Sequence, residues 1–127
     1  TKDHPALGKK GTIVGLEVNM RPSGGFTPEM INYACSTNFY RDWADMVCFD
    51  RLTLPDYPKK YFAAHYGRRK EHSYRYSHEE IMSRWGENVM ESGTLDPALA
   101  TAMGDIFYIA RFETEEEMNR WRAEMGE

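Results

Sequence analysis

The chain has 127 residues, 41% of them hydrophobic and 28% charged, with a formal net charge of −4. That length suits one domain able to bury a core without disulfide staples, and the composition is that of an ordinary globular protein. A mean hydropathy of −0.70, with no apolar run of membrane-spanning length, excludes a transmembrane helix in this sequence.

No basic-then-apolar leader opens the sequence, so a cytoplasmic location and no membrane partner are expected. Cys35 and Cys48 belong to no C-x-x-C pair and are read as free thiols in a reducing compartment. Residues 1–11 are polar, carry Pro5, Gly8 and Gly11, and read as a flexible arm. Residues 12–127 read as a single α+β domain.

In TIVGLEVNM (12–20), Val14, Leu16, Val18 and Met20 share one face, and this two-residue period predicts the first strand. RPSGGF (21–26) is a turn, and Thr27-Pro28 followed by Glu29 predicts a helix start capped by the threonine. Ile31, Cys35, Phe39, Trp43 and Val47 recur every four residues, which predicts a helix over 28–44. Ser36-Thr37-Asn38 weakens its middle, where a kink is expected.

MVCFDRLTL (46–54) is β-rich and ends at Pro55, which predicts a second strand. KKYFAAHYG (59–67) reads as a short helix stopped by Gly67, and EHSYRYS (71–77) alternates His72, Tyr74 and Tyr76 as a third strand. Ser77 and Glu80 form a capping box for a helix carrying Ile81, Met82, Trp85, Val89 and Met90 and ending at Gly93. Asp96-Pro97 starts a short helix closed by Gly104. DIFYIARF (105–112) is the fourth strand, and Thr114 with Glu117 caps a last helix lined by Met118, Trp121 and Met125.

The chain nearly repeats itself. YRYSHEEIMSRW (74–85) and ARFETEEEMNRW (110–121) agree at Arg75/Arg111, Glu79/Glu115, Glu80/Glu116, Met82/Met118, Arg84/Arg120 and Trp85/Trp121. Each is read as a strand feeding a capped amphipathic helix.

Without its short insertions the predicted order is β-α-β-β-α-β with one extra C-terminal helix. That is the split β-α-β of ferredoxin-like folds, an antiparallel sheet with helices on one face. The other sheet face would then need cover from the extra helix, a second copy or a ligand.

IFYIARFETEEEMNRW (106–121) resembles the strand-helix of dimeric α+β-barrel proteins. The resemblance implies two copies packed sheet to sheet around a small-molecule cavity, and for some members catalysis without a cofactor. RRKEHSYRYS (68–77) resembles the third strand of RNA-recognition domains, which implies base stacking on Tyr74 and Tyr76, although the opening glycine of that pattern is missing.

Charge is uneven. Lys59, Lys60, Arg68, Arg69, Lys70 and Arg75 stand against Glu71 alone between residues 57 and 78, while six glutamates crowd 113–127. Five of the eight tyrosines, Tyr57, Tyr61, Tyr66, Tyr74 and Tyr76, fall among those cations. Tyrosine with arginine is the chemistry of interface centres, so 57–78 is the candidate surface for a protein partner or a second copy. The expected function is a non-catalytic binding or accessory protein.

The alternative is a small enzyme with His65, His72, Tyr74 and Tyr76, joined by Asp50, as acid–base groups over the sheet. Nucleic-acid binding comes third, against the overall acidity. Arg21, Ser23, Gly24 and Gly25 before a helix N-terminus are a candidate anion loop that matches no phosphate fingerprint. The intervals among His65, His72 and His78 match no metal motif, so neither metal nor cofactor is expected.

Overall fold

The computed structural model describes residues 3, 5, 6, 8–51 and 59–127. Among them the order is α1 (Thr27–Cys35), α2 (Phe39–Phe49), β1 (Phe62–Arg68), α3 (His78–Trp85), β2 (Val89–Thr94), α4 (Pro97–Met103), β3 (Ile106–Phe112) and α5 (Glu115–Gly126). The fold is α+β, with one three-stranded antiparallel sheet in the order β1-β3-β2.

The strand predicted at 105–112 is the centre of that sheet. Phe107, Tyr108, Ile109, Ala110 and Phe112 are all buried, because both edges of β3 are paired and both of its faces are covered. On one face Ala64, Tyr108, Ala110 and Phe112 meet Ile81 of α3 and Trp121 and Met125 of α5. On the other, α1 packs against β1 and β3, and Phe26 stacks on Phe107 at 4.5 Å. Among the described residues helices therefore pack on both faces of the sheet, in place of the one face expected.

Both capping boxes form as the sequence predicts. Ser77 and Thr114 accept from the N–H of Glu80 and Glu117, and those glutamates accept in return from the cap N–H groups. The weak middle of the first helical stretch is a true break. Ser36 adopts φ 52° and ends α1, and Asn38 restarts the chain by accepting from the Arg41 N–H at 3.1 Å. Phe26, rather than Thr27, occupies the cap position of α1, and no side chain caps it.

Five predicted elements are corrected. Residues 12–20 form no strand: Ile13, Leu16, Val18 and Met20 are more than four-fifths exposed, and no described neighbour offers them a ladder. Residues 46–49 continue α2, since its apolar spacing carries through to the left-handed stop at Asp50; 52–54 lie outside the described residues. The stretch 59–67 contains strand β1, in which Phe62, Ala64, Tyr66 and Arg68 line one face. Residues 71–77 are loop, and the helix that follows stops at Trp85, so Val89 and Met90 enter β2.

The strand count therefore falls to three among the described residues, in place of the four of β-α-β-β-α-β. β2 carries an irregularity between Val89 and Glu91 where it pairs with β3. α4 sits inside the β2–β3 connection, which Leu95 closes by donating to the Asp105 carbonyl at 2.8 Å. Its end presses on β1: a Cβ at Gly67 would collide with the Met103 carbonyl, which leaves glycine as the residue that fits.

Candidate functional site

The end of β1 places an arginine where the strand pattern calls for an apolar residue. Arg68 follows Phe62, Ala64 and Tyr66 on the α5 face and retains only 4% of its exposure. Its Nε donates to the Met125 carbonyl at 3.1 Å and its Nη1 to the Tyr76 carbonyl at 2.7 Å. The guanidinium lies 4.5 Å from the Tyr74 ring centroid and 6.0 Å from that of Tyr108. No carboxylate pairs with it among the described residues, and Nη2 is buried without a hydrogen-bond partner. Carbonyls and ring faces carry the charge instead.

Over this arginine the 69–76 loop folds back, held by local bonds. The Arg69 N–H donates to the Tyr74 hydroxyl at 2.9 Å, and the Lys70 N–H donates to Asp105 Oδ2 at 2.9 Å. The Arg75 N–H donates to the Glu127 carbonyl at 2.9 Å. The loop, the start of α3 and the near end of β3 line an open cavity of about 350 Å³. Its ten lining residues include Arg68, Arg69, Lys70, His72 and His78, and none is a carboxylate.

Inside the cavity, His78 Nδ1 lies 2.9 Å from the Tyr108 hydroxyl. Burial raises the Tyr108 pKa; Arg68 nearby pulls it down and Glu79 adds to the rise. The phenol therefore stays protonated at neutral pH. Glu79, beside the cavity, is held below the usual carboxylate range by its own N–H and the Ser77 hydroxyl.

The basic, tyrosine-rich segment is divided by the fold. Lys70 is exposed and, with His72, Tyr74 and Tyr76, frames the cavity. Arg69 also lines it, but donates through Nη2 to the Thr101 carbonyl at 3.0 Å, which ties it to α4. Arg75 pairs with Glu127 at 2.9 Å. Tyr66 packs against the core, edge-on to Trp121.

Lys59, Lys60 and Tyr61 lie apart from that group. The N–H groups of Lys60 and Tyr61 share the Ala34 carbonyl, and Lys59 sits 3.5 Å above the Phe62 ring. Tyr57 lies outside the described residues. The 57–78 segment is thus split in two, because β1 runs through its middle and turns alternate residues, Arg68 among them, inward.

The acid–base set is divided too. His72, Tyr74 and Tyr76 gather at the cavity, but His65 faces the opposite side of the sheet, where it meets Phe26 at 5.0 Å. Its Nε2 is buried without a partner, and burial lowers its pKa. Asp50 ends α2. In the candidate anion loop, Arg21 Nη1 donates to the adjacent Pro22 carbonyl at 3.1 Å and Ser23, Gly24 and Gly25 are exposed.

His78 and Tyr108 are the cavity residues that sequence reasoning missed as site residues. Their signal was a polar group on each side of a predicted core, at a helix start and in mid-strand. The described residues include no cluster of three or more metal-ligating side chains and no helix long and apolar enough to cross a membrane. Comparison with family models, curated proteins and solved structures finds no match to this chain.

Proposed function

We propose that the domain is a non-catalytic binding or accessory module that holds an acidic segment of a protein partner against the 69–78 loop. One observation carries the reading: a cavity of about 350 Å³ collects three cationic side chains and two histidines with no lining carboxylate. Such a site attracts negative charge from a distance, and its tyrosines offer large contact area at small entropic cost. The exposed glutamates that begin α5 make a second copy of the chain one source of such a segment.

Arg68 is no surface contact, so charge reversal there tests folding rather than binding. The binding test is Lys70→Glu with His72→Glu, both exposed, read by fluorescence anisotropy of a labelled acidic peptide. Affinity is expected to fall by about tenfold or more with the circular dichroism unchanged. Equal binding of a basic peptide would contradict the reading, and preference for single-stranded RNA would favour a nucleic-acid module.

A second reading, a small-molecule enzyme, rests on the His78–Tyr108 pair. Loss of an assayed turnover in a folded His78→Gln variant would favour it.

The chain from residue 62 supports a ferredoxin-like relation. β1 and β2 run parallel, joined through α3, with β3 between them, which is a split β-α-β. The fourth strand of that fold would have its place beside the edge of β1 that pairs with no strand among the described residues.

A further inference from the structure

We infer that the Arg68 cavity is a receptor for a phosphate monoester carried by a side chain of the protein partner, which rests on the binding reading above and narrows it. A buried guanidinium is ordinarily matched by a carboxylate; here it has two carbonyls, two ring faces and a spare Nη2 with no partner among the described residues. That missing acceptor is what a phosphate oxygen supplies. Arginine is the cation whose planar fork matches phosphate geometry.

The groups around it suit a dianion. Lys70, His72 and His78 are exposed and line the cavity, with His78 beside Tyr108. Of the acidic neighbours, Asp105 accepts from the Lys70 N–H at 2.9 Å, and neither Asp105 nor Glu79 lines the cavity. Glu71, next in the chain to Lys70, is exposed and lines a neighbouring cleft with Asp105, outside this cavity.

Tyr74 lies over the guanidinium at 4.5 Å, and its hydroxyl accepts from the Arg69 N–H at 2.9 Å. A phosphate that reaches the guanidinium from this side must turn the ring aside, giving up that hydrogen bond and the cation–π contact. A phosphate then replaces the tyrosine face with a charge-assisted contact.

The test is calorimetric titration of the whole chain with inorganic phosphate near pH 7.5, then with phosphotyrosine and phosphoserine peptides and their unphosphorylated forms. Phosphate is expected to bind at about millimolar affinity or tighter, phosphopeptide more tightly, and Arg68→Met to weaken both by about tenfold or more. Should Arg68→Met fail to fold, ¹⁵N spectra of the native arginine side chains give the readout. A phosphate-dependent shift of the Arg68 Nε supports the site, and shifts confined to exposed arginines such as Arg122 overturn it.

Acidic peptide bound through Lys70 and His72 with no perturbation of Arg68 would sink this inference and leave the binding reading standing. Tighter binding of adenosine monophosphate than of any phosphopeptide would overturn the assignment to a protein partner.

Discussion

Residues 74–85 and 110–121 are near copies in sequence and differ in what their first three residues do. In the second copy Ala110, Arg111 and Phe112 finish the central strand, and Phe112 and Trp121 go to the core. In the first, Tyr74, Arg75 and Tyr76 form a loop beyond the sheet, and Tyr74 closes over Arg68. From the cap onward the two agree again, box for box. Local chemistry thus sets the helix starts, while the sheet decides which aromatic side chains become core and which enclose a site.

The comparison breaks most sharply at the paired tryptophans. Trp121 is fully buried, so Trp121→Ala is expected to cost about 3–5 kcal/mol in urea unfolding. Trp85 is half-buried and donates to Glu124 Oε2 at 2.8 Å, so Trp85→Ala should cost less, about 1–3 kcal/mol. Equal losses would mean that both copies are core.

The caps should behave alike. Ser77→Ala and Thr114→Ala each remove one half of a capping box, and each is expected to cost about 1 kcal/mol of stability. A marked difference between them would show that one helix start is held by its tertiary surroundings instead.

The helices that the two copies begin are joined through Glu124 of α5, which accepts from Arg84 Nε and Nη2 at 3.0 Å and from Trp85. Arg84 is the main cause that lowers its pKa below the ordinary 4.5. A depressed carboxylate pKa stabilises the fold above the unfolded value, and that contribution is lost as pH falls through the folded one. Stability measured from neutral pH down through the carboxylate range should therefore drop less steeply in Glu124→Gln than in the native chain. The smallest effect belongs to Tyr74→Phe, within about 0.5 kcal/mol, because only one loop hydrogen bond goes.

The legible parts of the sequence were those where one level of information suffices. Capping boxes are four-residue chemistry, and β3 is apolar enough to be a strand wherever it sits. Residues 12–20 alternate as cleanly as any strand, yet an alternating face makes a strand only when another backbone pairs with it. The stretch 59–67 reads as a short helix because Phe62, Ala63 and Ala64 stand together and show no two-residue period; its strand character comes from pairing with β3.

The site itself was half visible. Tyrosines among cations marked the region, and Lys70, His72, Tyr74 and Tyr76 do meet there. That Arg68 turns inward, that Arg69 and Arg75 are tied to α4 and Glu127, and that Tyr108 joins from β3 depend on the β1–β3 register.

The most direct test is hydrogen exchange at the arginine side chains of the native protein, followed by ¹⁵N NMR. Arg68 Nε–H, bonded to the Met125 carbonyl under the Tyr74 ring, is expected to exchange far more slowly than that of exposed Arg122. An Arg68 signal that exchanges as fast as Arg122 would place the guanidinium in solvent and contradict its burial at the cavity wall.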